Sequence, residues 1–466
     1  MAPRNVHYLE LLDVARRVQS KEISPVELTQ AQLKRITAKD GKLNSYARVT
    51  SELALKQARQ AEREIARGAI RGPLHGVPIA VKDLCYTKGI VTAAGMAINA
   101  RFRPKHDATV VARFAHAGAI LLGKLQMTEG AFAEHHPETA PPVNPWDAGH
   151  WSGASSSGSG VATAAGLCYA SLGSDTGGSI RFPSAANGIT GLKPTWGRVS
   201  RYGVFDLAPT LDHVGPMCRS AADTGAVLGV IAGADANDPT AVPLPVPNYL
   251  AGLERGVRGL RIGVDARYNS RGVDDVMQAA VEAALQVLRA AGADVRKVRF
   301  PEPKQVVEEW LAHCAVETAH VHRDTYPAQK DRYGPALSGL IELGRGLSAM
   351  AYQEILLHRH DFAGRVRTVF EDVDLLLIPA QAMASPTLKQ MATLGQDPNA
   401  LATLLRFSAP FDLSGSPALT LPAGFTRAGT PVAVQLIGRH FEEDVLVRAG
   451  HAFQRETDWH RRHPTV

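Results

Sequence analysis

The sequence contains few cysteines and no long apolar run. Its cysteines lie far apart and form no CxxC pair, so their spacing suggests neither a zinc site nor a disulfide framework. No apolar stretch approaches the length of a membrane span, and the N-terminus lacks the apolar core of a signal peptide. We therefore expect a cytoplasmic protein that contacts no membrane.

Strong charge of one sign is also absent. The chain has 51 Lys and Arg against 45 Asp and Glu, a net charge of +6, and no block of five basic residues. Basic and aromatic residues do not alternate, so a mildly basic, solvated surface is a better interpretation than nucleic-acid binding. With 466 residues, 45% hydrophobic and 21% charged, the composition is that of a globular protein with a large core.

Apolar strand patterns alternate with helical patterns along the chain. This alternation predicts an α/β fold, with a central twisted mixed β-sheet covered by helices on both faces. Buried strands are predicted at 79–83, 119–124 and 373–379, among others. A turn is predicted at 211–216, and a mobile flap at 384–404.

The most unusual stretch runs from residue 144 to residue 195. It contains two clusters of glycine and small hydroxyl residues, GASSSGSG at 153–160 and SDTGGS at 174–179. Glycines let the backbone approach a ligand and direct several N–H groups at it, while the hydroxyls are candidate nucleophiles. A flexible linker is also rich in Gly and Ser. A linker would not, however, carry Trp146 and Trp151 among its glycines.

A serine nucleophile needs a base to accept its proton. Neither cluster contains a histidine; His150 is the nearest, and a spatial partner elsewhere stays possible. The alternative base is Lys82, at the end of an apolar strand, where burial would favour the neutral amine. Ser155 or Ser156 could then relay the proton from Ser179.

The second cluster also offers an oxyanion hole. Residues 175–179 supply consecutive backbone N–H groups, and two glycines allow these groups to converge on one point. Asp175 and Arg181 flank this loop, and we interpret them as an ion pair that holds its shape.

These elements together resemble the amidase signature family. GASSSGSG matches the family's glycine-serine element, SDTGGSIRFPS its second element and VKD its lysine strand. NPW, GLKPT, DHVGP and the C-terminal QLIGRHFEEDVLVRAGHAFQ also fit. The resemblance is dense over 72–220 and 410–454 and weak over 232–405. Several elements in the right order are more specific than any one of them.

The resemblance implies a catalytic triad and a covalent mechanism. It assigns the nucleophile to Ser179, a middle serine in a cis peptide to Ser155, and the base to Lys82. The N–H groups of 176–178 would hold the oxyanion, and water would hydrolyse the acyl-enzyme. It implies no metal and no other cofactor. The residues with these roles are Lys82, Ser155 and Ser179 (catalytic), Thr176, Gly177 and Gly178 (oxyanion hole), and Ser156, Asp175 and Arg181 (supporting).

The resemblance also divides a single large domain into four segments. Residues 1–70 form a helical N-terminal cover, and 72–220 form the catalytic core. Residues 232–405 form a divergent substrate-pocket region, and 406–466 supply the C-terminal strands and helix. Two residues beside the middle serine depart from the family pattern, Ser157 where glycine is usual and, more mildly, Ala154.

The predicted substrate is a small-molecule amide, with esters and carbamates (urethanes) as further candidates. Met127, Gly130, Ala131 and Phe132 are predicted to line the pocket, with room beside the two small residues and an aromatic wall at Phe132. The same residues could instead only pack their loop. The protein is expected to be a monomer or a homodimer.

Three alternatives compete with this interpretation. The first is the A subunit of glutamyl-tRNA amidotransferase, which hydrolyses glutamine. In that protein glutamine is bound by one arginine of an arginine-arginine helix motif and by an acid. The motif aligns with Gly339–Leu340 and the acid near Leu405, which favours a free-standing hydrolase of less polar amides. A non-catalytic family member would be expected to lose the lysine or the nucleophile. A GxSxG hydrolase is excluded because that motif does not occur.

Overall fold

One large sheet forms the centre of the molecule. The computed structural model describes residues 6–394 and 398–466. Within these ranges eleven strands form a sheet in the order β1-β3-β2-β4-β6-β5-β10-β11-β9-β7-β8. The strands are β1 (Tyr46–Val49), β2 (Pro78–Lys82), β3 (Ile120–Leu125), β4 (Ala170–Asp175), β5 (Thr190–Lys193), β6 (His213–Cys218), β7 (Arg261–Val264), β8 (Asp294–Lys297), β9 (Leu375–Pro379), β10 (Ala418–Phe425) and β11 (Pro431–Gly438).

The sheet is mixed, as predicted. β2 pairs in parallel with β3 and β4, and β7 pairs in parallel with β8 and β9. The remaining neighbours are antiparallel. The prediction of an α/β fold with a central mixed sheet is therefore confirmed.

Helices flank this sheet along the whole chain. Ser24 caps the second of them by accepting hydrogen bonds from the N–H groups of Val26 and Glu27 at 3.1 and 3.2 Å, and Pro25 occupies its first turn. The α-helices are α1 (Leu11–Gln19), α2 (Pro25–Leu43), α3 (Ser51–Ala66), α4 (Thr109–His116), α5 (Ser157–Ala164), α6 (Arg181–Asn187), α7 (Ala221–Ile231), α8 (Ala266–Ser270), α9 (Asp275–Ala290), α10 (Lys304–Val321), α11 (Tyr326–Gln329), α12 (Pro335–Gly346), α13 (Ala349–Asp372), α14 (Leu388–Leu394), α15 (Pro398–Leu405), α16 (Ala409–Leu413) and α17 (Glu443–Arg455).

One prediction of local structure was wrong, and another was incomplete. The turn predicted at 211–216 is largely strand β6, which lies between β4 and β5 and is buried along its whole length. Gly215 and Pro216 indicated a turn, but pairing on both sides overrides that local preference. The N-terminal segment, predicted to be helical, also contributes the edge strand β1.

The segment predicted to be a flap contains the short helices α14 and α15. Its residues 395–397 lie outside the described residues. The chain just before α14 is held in place, because Trp151 N–H donates to the Pro386 carbonyl and Leu388 N–H donates to the Gly149 carbonyl, each at 2.9 Å. The mobility of the segment stays a prediction.

Strand direction explains which residues gather at one edge of the sheet. β2 and β4 are parallel neighbours, so their carboxyl ends, at Lys82 and Asp175, lie at the same edge. β6 runs antiparallel to β4 and begins opposite Asp175. β10 begins opposite the end of β5, because Ala418 pairs with Lys193. The loops before β6 and β10 therefore reach the same edge.

None of the helices in the described ranges is both long and apolar enough to span a membrane.

Candidate active site

Lys82 ends β2 inside a group of three serine hydroxyls. Its Nζ lies 2.6 Å from Ser155 Oγ and 2.9 Å from the Oγ atoms of Ser156 and Ser174. All four side chains are buried. A charged lysine has three N–H donors, whereas a neutral one has two and a lone pair. In the neutral form, one of these three contacts can therefore be a hydroxyl donating to the amine.

Burial favours that neutral form. Removal from water lowers the pKa of Lys82 to about 7, although the negative charge of Asp175 opposes the shift. A substantial fraction of Lys82 is therefore neutral at physiological pH. Sequence reasoning placed Lys82 and Ser155 in one site, and the structure brings them into contact.

The two glycine-serine clusters meet at this lysine. Ser156 Oγ donates to the Ser174 carbonyl at 3.2 Å and accepts from the Ser174 N–H at 3.2 Å. Ser156 N–H also donates to the Ser179 carbonyl at 3.3 Å. The peptide bond between Ala154 and Ser155 is cis. Ser174 was part of the second cluster in the sequence, but its contact with the lysine could not be foreseen because it depends on how the clusters pack.

Ser179 is the accessible residue of this region. From Ser155 to Thr195 every other residue is buried, and Ser179 alone is partly exposed. Its hydroxyl forms no hydrogen bond with Ser155 or any other group in the described part of the chain. Of the residues from 155 to 195, Ser179 is therefore the one partly exposed to solvent.

Asp175 determines the shape of the loop before Ser179. Its carboxylate accepts from the N–H of Gly178 at 2.6 Å and from the N–H of Ile180 at 2.9 Å. It also pairs in bidentate fashion with Arg181, at 2.8 and 3.0 Å. Burial alone would raise the pKa of Asp175, but the Arg181 guanidinium outweighs it and holds the pKa well below its usual range.

Arg181 links this loop to the chain before β10. Its guanidinium donates to the Ser408 carbonyl at 2.8 Å and to Asp412 Oδ2 at 2.5 Å. Burial raises the pKa of Asp412, and the neighbouring Asp175 charge adds to that shift. The predicted Asp175–Arg181 ion pair is present, and Asp412 is a second partner that the sequence did not reveal.

The loop leaves some of its backbone N–H groups free, but not the set that the sequence predicted. Gly178 N–H is already bound by the Asp175 carboxylate, so a role in the oxyanion hole would compete with that bond. In the described residues, the N–H groups of Thr176, Gly177 and Ser179 donate to no protein acceptor. Of the predicted donors, the structure thus leaves Thr176 and Gly177 available, and Ser179 joins them.

The predicted pocket residues are more buried than expected. Met127, Gly130 and Ala131 are buried, whereas Phe132 is partly exposed. A Cβ atom on Gly130 would lie 2.8 Å from Leu337 Cδ2, so Leu337 of α12 occupies the room that the sequence suggested. Their role in substrate binding stays a prediction, with Phe132 the most accessible of the four.

Histidines near the clusters have other partners. His150 Nδ1 lies 3.3 Å from an Asp147 carboxylate oxygen. His135 Nε2 lies 3.2 Å from Ser157 Oγ, the serine that departs from the family pattern. Burial lowers the pKa of His135 to about 4. In the ranges that the structure describes, no group of His, Cys, Asp and Glu side chains could hold a metal ion.

The chain matches known proteins along most of its length. The Amidase family model matches residues 27–447. A Mycobacterium tuberculosis protein named AmiD and assigned to the amidases is 51% identical over 458 residues, 98% of this chain and 96% of its own. The A subunit of glutamyl-tRNA(Gln) amidotransferase from Chloroflexus aggregans is 39% identical over 486 aligned residues, 99% of each chain.

A solved structure extends the agreement to the fold. The structure of 6-aminohexanoate cyclic dimer hydrolase, complexed with its substrate, superposes with a TM-score of 0.89 at 27% identity, and the match covers 99% of each chain. The buried lysine, the serine clusters and the ordered loop lie in the part of the chain that the family model matches. The chain is therefore an amide-hydrolysing enzyme and belongs to the amidase signature family.

Proposed function

We propose that this enzyme hydrolyses small-molecule amides through a Ser179 acyl-enzyme, with Ser155 and Lys82 moving the proton. The observation that carries this proposal is the buried Lys82 amine, which lies 2.6 Å from Ser155 Oγ and 2.9 Å from Ser174 Oγ, in the cluster that ends at Ser179. A buried, partly neutral lysine can act as the base that serine nucleophiles require.

The proposed first half-reaction begins with the free enzyme. The Ser179 proton passes to Ser155 Oγ as the Ser155 proton passes to Lys82 Nζ. Ser179 Oγ then bonds to the carbonyl carbon, whose oxygen becomes negative and is held by free N–H groups of the loop. The C–N bond breaks, and the proton returns through Ser155 to the leaving nitrogen. Catalytic hydrogen bonds often shorten only after substrate binds, so the lack of a hydrogen bond between Ser179 and Ser155 is compatible with this path.

Water completes the reaction in the second half. It attacks the Ser179 ester while the same relay accepts a proton, and the carboxylic acid leaves as Ser179 regains its hydroxyl. The oxyanion donors act again on the second tetrahedral intermediate. Because the acyl-enzyme is an ester, esters and carbamates with suitable leaving groups are further candidate substrates.

A chromogenic anilide tests the catalytic assignment. Ser179→Ala and Lys82→Met should each reduce turnover by at least about 10⁴-fold, because each removes one partner of the relay. The matched controls are Ser159→Ala and Lys193→Met. Ser159 is a buried serine of the same run that donates to the Leu172 carbonyl, and Lys193 is a buried lysine that donates to the Ser416 carbonyl. Near-normal turnover in either relay variant, with unchanged circular dichroism, would remove that residue from the mechanism.

Glutamine hydrolysis for tRNA-dependent amidation is the second candidate function. The 39% identity to the glutamyl-tRNA(Gln) amidotransferase protein favours it. Against it, the positions expected to hold the glutamine-binding arginines are Gly339 and Leu340, in α12. A panel of glutamine, an aryl amide, an aliphatic amide, an ester and a carbamate separates the two. Robust glutamine turnover without cleavage of the other compounds would overturn the proposal of a free-standing amidase.

A further inference from the structure

Two side chains that lie far away in the sequence hold the oxyanion loop, residues 175–179. Trp310 Nε1 donates to the Thr176 carbonyl at 2.9 Å. Ser408 Oγ donates to the Gly177 carbonyl at 2.6 Å. Both side chains are buried. Two successive carbonyls of the loop are therefore fixed by residues outside the catalytic core.

Peptide geometry transmits these contacts to the N–H groups. In a trans peptide the C=O and N–H bonds point in opposite directions. With its C=O held by Trp310, the peptide between Thr176 and Gly177 must direct the Gly177 N–H to the opposite side. The next peptide, with its C=O held by Ser408, directs the Gly178 N–H towards Asp175. Of these two N–H groups, only that of Gly177 is free for a ligand.

The indole ring also fills the space beside Gly177. A Cβ atom on Gly177 would lie 2.4 Å from Trp310 Cζ2, closer than any real contact. The ring therefore packs directly on the backbone, and the N–H contact and the packing restrain the same peptide.

The helix that carries Trp310 is itself fixed to the site. Glu317 of α10 accepts from the Thr210 N–H at 2.8 Å, and Thr318 Oγ1 donates to the Leu207 carbonyl at 3.1 Å. In the same loop before β6, Asp212 accepts from Thr176 Oγ1 at 2.6 Å. α10 and this loop thus hold both the backbone and the side chain of Thr176.

We propose that Trp310 is a positioning residue that orients the Gly177 N–H as an oxyanion donor, with Ser408 fixing the adjacent peptide. This inference rests on the proposed function, because it assumes that Ser179 attacks a carbonyl beside this loop. The proposal gives the region 232–405, which resembles the family least, a role in the reaction rate as well as any role in substrate choice.

The test uses Trp310→Phe, which removes the indole N–H and keeps an aromatic ring. Loss of an oxyanion donor costs about 10²–10³-fold in kcat. Misorientation of the donor should cost less, so we expect a fall of about tenfold in kcat with little change in KM. Affinity for a trifluoromethyl ketone, which forms a tetrahedral oxyanion on the serine, should fall by the same factor as kcat. Ser408→Ala should also lower kcat and the affinity for the ketone. It tests the inference if Trp310→Phe does not fold.

Trp146→Phe is the matched control. Trp146 Nε1 also donates to a backbone carbonyl, that of Asn187 at 2.8 Å, away from the oxyanion loop. The Trp146→Phe variant should lose a similar hydrogen bond and a similar amount of stability, while its kcat stays near that of the wild type. Equal kcat and equal ketone affinity in Trp310→Phe, Ser408→Ala and Trp146→Phe would overturn the inference.

Labelling of Ser179 by a fluorophosphonate separates this inference from the proposed function. In that reaction the serine oxygen replaces fluoride on phosphorus, and the phosphoryl oxygen occupies the oxyanion position whether or not the enzyme cleaves amides. If the wild type is labelled but cleaves no amide, the proposed function fails. The inference is then supported only if Trp310→Phe is labelled about tenfold more slowly and Trp146→Phe is not. A wild type that is neither labelled nor active overturns both.

Discussion

The stretch 144–195 and the region 232–405 use their residues in opposite ways. In the first, every residue from 155 to 195 except Ser179 is buried, and the two glycine-serine clusters pack around Lys82. In the second, helices pack on one another and on the strands of the same region, and large apolar side chains such as Met350 and Leu357 remain exposed. The second region nevertheless reaches the first at a few points, among them Trp310 on the oxyanion loop and Pro386, whose carbonyl accepts from the Trp151 N–H. The first region is thus more closely packed than the second, although Trp310 of the second region packs on it.

The largest expected effect is the loss of the buried arginine of the first region. Arg181→Met leaves the Asp175 charge buried without its partner, which costs about 3–5 kcal/mol of unfolding free energy, and it should abolish activity because the loop loses its support. Urea unfolding measures the first effect and anilide turnover the second. The corresponding variant in the second region is Arg261→Met. The pair of Arg261 with Asp374 is partly exposed and screened by water, so the loss of unfolding free energy should be smaller. Equal losses of unfolding free energy in the two variants would contradict the expected difference between the two regions.

Gly177→Ala tests how tightly the two regions meet. The new Cβ would lie 2.4 Å from the Trp310 ring, so the loop or the indole must move. We expect kcat to fall by about 10²–10³-fold, as for loss of an oxyanion donor, with KM much less affected. Steady-state kinetics on the anilide provide the measurement. A kcat close to that of the wild type would show that the contact between Gly177 and Trp310 does not affect catalysis.

The pH profile tests which buried group at the candidate active site titrates. Burial lowers the pKa of Lys82 to about 7, and only the neutral amine can accept a proton. The kcat/KM should therefore rise with pH through about 7, by about tenfold per pH unit below the midpoint. Lys193, whose pKa burial also lowers to about 7, is the control, because Lys193→Met should leave the midpoint unchanged. Burial raises the pKa of Asp212 to about 7, so a midpoint that moves in Asp212→Asn would transfer the titration to that carboxyl.

The smallest expected effect belongs to a glycine of the second region. Gly339 is exposed in the interior of α12, and a Cβ atom there would meet nothing within 4 Å. Because alanine is the better helix former by about 1 kcal/mol, Gly339→Ala should raise the melting temperature slightly and leave turnover unchanged. It is the counterpart of Gly177→Ala, and a loss of stability here would show that the second region is less tolerant than its exposure suggests.

Features set by a local sequence pattern were predicted more reliably than features that depend on the tertiary structure. Strand β2, with Lys82 at its end, is set by a local apolar pattern and was predicted. β6 was misread as a turn because its strand character depends on β4 and β5 on either side. The commitment of Gly178 to Asp175 was missed, since it depends on the loop conformation rather than on residue type.

The sequence by itself determined the kind of chemistry available here. It contains small hydroxyl residues in glycine-rich clusters and a lysine at the end of an apolar strand, in an order that matches the family. The tertiary structure decided which hydroxyls touch the lysine, which N–H groups stay free and which distant side chains restrain them. Trp310 and Thr176 are 134 positions apart, and Ser408 and Gly177 are 231 apart. Contacts over such separations exist only after the sheet has brought the ends of its strands to a common edge.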